Sequence, residues 1–241
     1  VNATMPRILL FIPMYNCEKQ IVRVLSQLDG KAGSYIDQVI VVNNRSTDGG
    51  EAAVLEQLEK GVFPCPVKLL RNRENYGLGG SHKLAFSYAI ANGFDYVIVL
   101  HGDDQGHLED LLPVLESGRY QTYDCCLGAR FMKGSVLEGY SRFRTFGNRV
   151  YDLLFSAVTC RRVSDLGSGL NVYDVKMLKS NFRSRKHGTV LYLKIQGLPF
   201  VFWKVMQLFH WPMSVLEICQ GISLQILSIK RNGRILFLSM T

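Results

Sequence analysis

The chain has 241 residues, of which 47% are hydrophobic and 20% are charged. This balance excludes a wholly disordered chain, and the lack of a Gly-X-Y period, a heptad run or a longer repeat excludes fibres and solenoids. The six cysteines form no CxxC pair, which argues against a zinc cluster or a disulfide scaffold. Since the first residues show no signal-peptide pattern, we expect buried thiols and a cytoplasmic location, with the membrane face as an alternative.

The net charge of +8 is concentrated near the C-terminus. Residues 175–241 contain ten Lys and Arg and a single acid, Glu217, which leaves a charge of +9 there and about −1 for the rest. This basic region is also rich in Phe, Trp, Leu and Ile. Basic residues mixed with large apolar ones favour an anionic membrane surface over a nucleic acid, so no nucleic-acid partner is expected.

Hydrophobic patterning over residues 1–174 predicts strands alternating with helices. The short apolar runs that predict strands are Arg7–Ile12, Gln38–Val42, Val67–Leu70 and Tyr96–Leu100, and the first two are expected to be buried. The segments with helical spacing are Glu18–Leu28, Ala52–Leu58 and Leu84–Ala91. This alternation predicts an α/β fold in which a mostly parallel central sheet has helices on both faces. Ligands of such sheets bind at the carboxyl ends of the strands, and here every polar or Gly-rich cluster follows a strand.

The segment YVIVLHGDDQG indicates a metal site. If the chain stays extended after the strand, His101, Asp103 and Gln105 share one face and Asp104 takes the other. Carboxylate and amide oxygens with a nearby imidazole suit Mg²⁺ or Mn²⁺, which would neutralise charge on a departing diphosphate. The alternative is a strand-end turn in which Asp103 only caps the next helix.

Three further segments provide candidate nucleotide contacts. In VVNNRSTDGG, Asn43, Asn44 and Asp48 can bond a base or ribose, or else form a turn and a helix cap. In IPMYNCEKQI, Pro13 ends the strand and Tyr15 offers a ring for stacking, although a Tyr there is more often core. The loop NYGLGGSHK brings Lys83 near phosphates, or is a plain entry to a helix.

Together these segments resemble the family-2 glycosyltransferases of GT-A fold, most closely the dolichyl-phosphate mannose synthases and related polyprenyl-phosphate glycosyltransferases. The resemblance covers residues 7–178. Its matches are Pro13, Tyr15, Asn16 and Glu18 after the first strand, the turn 43–48, the metal motif 101–105, the segment 128–139, and the Asp-x-x-Ser-Gly-like segment 165–170. It implies a nucleoside-diphosphate sugar donor, a donor site that includes Glu18, and a divalent metal ion.

The resemblance also has departures. His101 stands where the family usually has the first Asp of its metal motif, and Asn43 stands where an Asp commonly contacts the base or ribose. A phosphate acceptor is already anionic, so it needs positively charged residues that hold it near the sugar C1 and no general base. Arg130 matches the family position for that role, and Arg144 is the next candidate. If the acceptor is instead a sugar hydroxyl, a carboxylate base is required, and Asp165 is the candidate.

The sequence predicts a catalytic domain at 1–179 and a basic, apolar tail at 180–241. No uncharged window of about 20 residues occurs in the tail, so a spanning helix is not expected. The tail is either a membrane-surface element or a divergent or out-of-frame C-terminus.

We expect an inverting, metal-dependent glycosyltransferase acting on a polyprenyl phosphate or another membrane-associated or glycan acceptor. The rival hypotheses are a soluble sugar-to-sugar transferase and a non-catalytic partner protein of the same fold.

Overall fold

A seven-stranded sheet forms the centre of the molecule. The computed structural model describes residues 5–61, 63–130, 132, 135, 146–150, 152–153, 156, 164–165, 168–181 and 234–240. The strands are β1 Ile8–Met14, β2 Gln38–Asn43, β3 Val67–Arg71, β4 Tyr96–Leu100, β5 Cys125–Ala129, β6 Leu170–Asp174 and β7 Ile235–Ser239. Their order across the sheet is β3-β2-β1-β4-β6-β5-β7. The predicted α/β class with a mostly parallel sheet is confirmed, since only β6 runs antiparallel to its neighbours β4 and β5.

Helices cover both faces of the sheet. They are α1 Glu18–Ser26, α2 Gly50–Lys60, α3 Gly77–Ala91, α4 Leu112–Glu116 and α5 Val175–Asn181. Short 3₁₀ turns lie at Gln27–Asp29, Lys31–Tyr35, Leu108–Leu111 and Arg119–Thr122, and the described residues at 146–150, 152–153 and 156 are helical.

Successive side chains of a strand point to opposite faces, and β1 shows how this divides the core. Leu10 and Ile12 pack into one apolar cluster with α1 and α2, whereas Leu9 and Phe11 pack into the other cluster with α3 and α5. All seven residues of β1 are buried, which explains the continuous apolar run in its sequence.

Two of the differences between predicted and observed element bounds have a clear physical reason. β1 continues through Pro13 to Met14, because pairing with β4 stops at Phe11 and the missing N–H of Pro13 is not required on that side. The segment predicted as a Gly-rich loop is helical from Gly77 onward. Asn75 Oδ1 accepts the Gly77 N–H at 2.9 Å, and Gly77 itself has a φ of 67°, which glycine adopts without strain.

The last described residues return to the sheet. β7 pairs in parallel with β5, from Cys125 opposite Ile235 to Ala129 opposite Ser239. Alternate residues of β7 pack toward the two apolar clusters. Residues 235–239 of the predicted tail therefore belong to the same sheet as the strands of the predicted catalytic domain 1–179. Within the described residues, no helix has the length and apolar character needed to cross a membrane.

Candidate active site at the carboxyl edge of the sheet

The loops that follow β1, β2 and β4 meet at one edge of the sheet. The Asn44 N–H donates to Met14 O at 2.9 Å, and the Gly102 N–H donates to Pro13 O at 3.2 Å. Each loop contains one non-glycine residue with a positive φ: Asn16 (51°), Arg45 (65°) and Asp104 (61°). A left-handed backbone conformation at a non-glycine residue costs about 1–3 kcal/mol of stability, and such residues concentrate at functional sites. This edge of the sheet is therefore the candidate active site.

Glu18 and Asp48 lock the first two loops to each other. Asp48 Oδ2 accepts the N–H of Glu18, the first residue of α1, at 2.8 Å. Glu18 Oε2 in turn accepts the N–H of Gly49 at 3.0 Å, and Asp48 Oδ1 accepts the N–H of Gly50, the first residue of α2, at 3.1 Å. Both carboxylates thus accept N–H groups at helix starts. The N-cap residue of α2 is Gly49, so Asp48 lies one residue before the cap position and bonds the Gly50 N–H from there.

The amides of Asn43 and Asn44 are engaged within the protein. Asn43 is 1% exposed; its Nδ2 donates to Glu51 Oε2 and its Oδ1 accepts the Ser46 N–H. Asn44 Oδ1 accepts from Asn72 Nδ2 at 2.8 Å and from the Tyr76 N–H at 3.0 Å. In this structure both side chains fix the loops around the edge, because their polar atoms already have protein partners.

The other candidate donor contacts lie around these loops. Tyr15 is 51% exposed at the start of the β1–α1 loop, so its ring is available for stacking rather than packed in the core. Tyr76, just before α3, is comparably exposed, and its sequence position gave no signal for it. Pro13 is buried in β1, and the half-buried Lys83 lies in the second turn of α3.

The metal motif forms a turn after β4, so His101, Asp103 and Gln105 do not share one strand face as expected. Residues 102–104 turn, and the left-handed Asp104 reverses the chain direction. Asp103 and Gln105 are exposed at the edge, and the Gln105 N–H contacts Asp103 Oδ1 at 3.4 Å. Although Asp103 is open to solvent, the protein packed around it removes enough water to raise the pKa of its carboxyl, against an opposing effect from Arg130.

His101 turns inward, away from the exposed position of Asp103. Its ring lies edge-on to the ring of His82, with centroids 6.2 Å apart. The backbone N–H of His101 donates to Gly169 O at 2.9 Å. The ring Nε2 of His101 is buried and has no hydrogen-bond partner among the residues that the structure describes. Loss of water and the nearby Arg130 charge lower the pKa of His101 to about 4, so the ring is neutral near pH 7.

Arg130 and Asp165 form a buried ion pair. Arg130 Nε donates to Asp165 Oδ2 at 2.7 Å and Nη2 donates to Oδ1 at 3.0 Å, while the Arg130 N–H also donates to Oδ2. Asp165 is 2% exposed and Arg130 is 9% exposed. The structure therefore joins two side chains that the sequence assigned to separate roles. Arg144 and most of the segment 131–145 lie outside the described residues.

Sequence reasoning missed Arg23 and Gln27, which contact the metal motif from α1. Arg23 Nε lies 2.6 Å from Asp104 Oδ2, and Gln27 Nε2 lies 3.2 Å from Asp104 Oδ1. Their spacing of four residues, which places them on one face of the end of α1, is the only sequence signal for them.

The exposed residues of the motif fit a hard divalent cation. Asp103 supplies a carboxylate and Gln105 an amide oxygen, both suited to Mg²⁺ or Mn²⁺. Within the described ranges, no three His, Cys, Asp or Glu side chains lie close enough together to hold an ion on their own. An ion bound here therefore needs further oxygen ligands, as is usual for ions that bridge one or two carboxylates to substrate phosphates. The Nε2 atom of His101 is buried, so His101 does not join Asp103 and Gln105 at the exposed edge.

Comparison with known proteins gives a family match over most of the chain. Residues 10–182 match the model described as Glycosyl transferase family 2. The UDP-N-acetylglucosamine–dolichyl-phosphate N-acetylglucosaminyltransferase of Methanococcus voltae is 23% identical over 195 residues, which cover 76% of each chain. The undecaprenyl-phosphate mannosyltransferase of Micrococcus luteus is 25% identical over 175 residues, covering 72% of this chain and 69% of the relative.

A similar fold occurs in a solved structure. Glucosyl-3-phosphoglycerate synthase from Mycobacterium tuberculosis, in complex with Mn²⁺, UDP and phosphoglyceric acid, superposes with a TM-score of 0.53 at 18% identity. The match covers 73% of this chain and 58% of that one. At this identity the likeness is one of fold, and it confirms the GT-A architecture expected from the sequence.

Proposed function

Since the chain belongs to glycosyl transferase family 2, we propose that it moves a sugar from a nucleoside-diphosphate sugar to a polyprenyl phosphate, with inversion at the anomeric carbon. The acceptor class is supported by the names of two relatives, whose acceptors are dolichyl phosphate and undecaprenyl phosphate. The charge of +9 over residues 175–241 suits an acceptor held at an anionic membrane surface.

The observation that carries the proposal is the convergence of the β1, β2 and β4 loops on one edge where Asp103 and Gln105 are exposed. A bound Mg²⁺ or Mn²⁺ would supply positive charge to the diphosphate leaving group. Asp103 and Gln105 are the residues that would hold this ion, and Tyr15 offers its exposed ring to the base. Glu18, Asn43, Asn44 and Asp48 hold the loops that surround the donor, and Lys83 adds positive charge from α3.

In the proposed reaction an acceptor phosphate oxygen attacks the sugar C1 while the bond from C1 to the diphosphate oxygen breaks. The phosphate is already anionic, so no protein base has to remove a proton. Arg130 brings positive charge to this region and Asp165 fixes its orientation through two parallel hydrogen bonds. Arg144 stays a proposed acceptor contact on sequence grounds alone.

The geometry favours a phosphate acceptor over a sugar hydroxyl. A hydroxyl acceptor requires Asp165 as general base, but both of its carboxylate oxygens accept hydrogen bonds from Arg130. Both oxygens are therefore engaged in orienting the guanidinium, and the carboxylate would have to break this pair before it could accept the proton of an acceptor hydroxyl.

The test is a two-stage assay. Thermal unfolding in the presence of Mn²⁺ and each nucleoside diphosphate first identifies the base, since a bound ligand stabilises the fold. Transfer from the matching sugar nucleotides is then measured with a polyprenyl phosphate in detergent and, separately, with free sugars. Lipid-linked product supports the proposal. Product with free sugars only would favour the soluble transferase, and stabilisation without any turnover would favour the non-catalytic partner.

A further inference from the structure

We propose that Arg23 and Gln27 are positioning residues for Asp103, the carboxylate that faces the metal ion. They act through Asp104, which they hold in a left-handed conformation at the centre of the metal motif. The inference rests on the proposed function, because it concerns how the chain presents ligands to the metal-bound diphosphate. It also decides which of the two adjacent acids faces the ion.

The contacts from α1 occupy both carboxylate oxygens of Asp104. Arg23 Nε donates to Oδ2 at 2.6 Å, and Gln27 Nε2 donates to Oδ1 at 3.2 Å. The same Gln27 amide lies 3.2 Å from Gly106 O, and its Oε1 accepts the Leu108 N–H at 2.7 Å. One glutamine thus contacts the chain at three positions, one in the motif and two just after it, so the turn and its exit are fixed relative to the end of α1.

This arrangement separates the roles of the two acids. Asp104 directs its side chain toward α1, and 17% of that side chain is exposed, whereas Asp103 is exposed at the sheet edge. A φ of 61° is unfavourable for aspartate, so the turn keeps this shape only while its surroundings stabilise it. Without the contacts from α1, the turn can relax and move Asp103 and Gln105 together.

The start of α1 is tied to the donor loop as well. Asp48 accepts the Glu18 N–H, and Glu18 accepts the Gly49 N–H. Since α1 spans only nine residues, its first residue contacts the loop after β2 while its last turn and the residue after it contact the metal motif. We infer that α1 sets the distance between the loop proposed to surround the donor and the proposed metal ligands.

The exposure of Arg23 separates a positioning role from a purely structural one. Its side chain is 62% exposed, and ion pairs so open to solvent contribute little to stability. A purely structural role therefore predicts small changes in both unfolding and metal binding when Arg23 is replaced. A positioning role predicts a small change in unfolding but a large change in metal affinity.

The experiment measures Mn²⁺ binding by calorimetry with UDP or GDP present, whichever stabilises the parent protein. We expect Arg23→Gln and Asp104→Gly to weaken Mn²⁺ binding by about 10–100-fold, as residues that orient metal ligands usually do. Glycine accepts the left-handed φ, so Asp104→Gly tests the contacts without adding strain. Arg23→Lys should recover part of the affinity. The control is Lys60→Gln, which removes the exposed Lys60–Glu56 pair on α2 and should leave the affinity unchanged.

The outcomes separate the inference from the proposed function. If the parent binds Mn²⁺ with the nucleotide and both folded variants bind it equally well, the positioning role is wrong and the proposed function stands. If the parent binds no Mn²⁺ with either nucleotide, the metal-dependent function and the inference both fail. Far-ultraviolet circular dichroism establishes that each variant is folded before its affinity is compared.

Discussion

Arg130 and Asp165 have the most deeply buried side chains of any ion pair among the described residues. Two charges removed from water are stabilised here by parallel hydrogen bonds, and each one needs the other. The pair links the end of β5 to the segment before β6, so its loss affects the fold as well as the site.

Asp165→Ala should therefore destabilise the protein by about 3–5 kcal/mol, because it removes the carboxylate that is paired with a buried guanidinium. Urea unfolding followed by far-ultraviolet circular dichroism measures the change. The double variant Arg130→Met, Asp165→Leu should recover much of the loss, since it removes both charges. An Asp165→Ala protein that unfolds at the parental urea concentration would contradict the importance of the pair.

Asp103→Ala should lower turnover by about 10²–10³-fold, the usual loss when one electrostatic stabiliser of a transition state is removed. Its fold should stay intact because Asp103 is exposed and, in the part of the chain that the structure describes, its carboxylate bonds to nearby backbone N–H groups such as that of Gln105. The control is Glu116→Ala, which breaks a similarly exposed surface pair with Lys31. Normal turnover in a folded Asp103→Ala protein would show that Asp103 is not a ligand of the metal ion.

The buried histidines predict a loss of stability in mild acid. Loss of water lowers the pKa of both His82 and His101 from 6.5 to about 4. Between these values the unfolded chain binds protons that the folded protein excludes, so the free energy of unfolding falls as pH drops from about 6.5 toward 4. Urea unfolding at pH 7.5, 6 and 5 measures this slope. His82→Gln should flatten it in part, since His101 still contributes. An equal slope in the variant would show that His82 does not contribute.

Residue identities predicted which side chains lie at the edge but not which partner each one takes. Asn43, Asn44, Glu18 and Asp48 all lie at the predicted strand ends, yet each contacts protein groups there. An amide or carboxylate accepts hydrogen bonds equally well from a ligand and from a backbone N–H, so residue type alone cannot distinguish the two. His101 likewise turned inward because the motif turns immediately after β4.

Strands that read as short apolar runs were the elements easiest to predict, including β3, whose residues are half-buried or exposed. β4 has the predicted bounds, and β2 and β3 each extend one residue further, since a continuous apolar run bounded by polar turns has few other solutions. β5 and β6 carried no such signal: β5 reads Cys-Cys-Leu-Gly-Ala, and β6 contains a buried Asn171. The start of α3 was missed because three of its first four residues are glycines, which usually disfavour helix.

Two neighbouring glycines of α3 should respond oppositely to alanine. A Cβ at Gly79 meets nothing within 4 Å, so Gly79→Ala should stabilise the helix by about 0.5–1 kcal/mol. A Cβ at Gly80 would lie 2.3 Å from Tyr76 Cβ, so Gly80→Ala should destabilise the protein. Thermal unfolding of the two variants provides the comparison. Equal shifts in one direction would show that the start of α3 is not placed as described.

At the scale of the whole molecule, β7 joins the far end of the sequence to the active-site edge. Ser135 Oγ donates to Ala129 O at 2.8 Å, accepts the Met240 N–H at 3.2 Å and lies 3.1 Å from Ser239 Oγ. The end of β7 therefore anchors the chain just beyond Arg130. A protein ending near residue 179 would lack this support, so it is not expected to keep the region around Arg130 in order.

Leu238→Asp should lower the stability by about 1–3 kcal/mol or more, because it places a carboxylate against the apolar cluster that β7 helps to cover. Leu238→Val, which keeps an apolar strand-forming side chain, serves as the matched control. The measurement is thermal unfolding together with size-exclusion chromatography, since a loosened β7 exposes the edge of β5 to self-association. A melting temperature equal to that of the control would argue that β7 does not pair with β5.

The pairing of β5 with β7 has a consequence for biosynthesis. Cys125 and its partner Ile235 are 110 positions apart in the sequence, so β5 leaves the ribosome long before the strand that covers it. At about 5–20 residues per second, the nascent chain exposes that edge for roughly 5–20 seconds while β1 to β4 can already pair. Any messenger whose reading frame changes between these two strands would therefore yield a chain with an open edge, a substrate for chaperones and proteases.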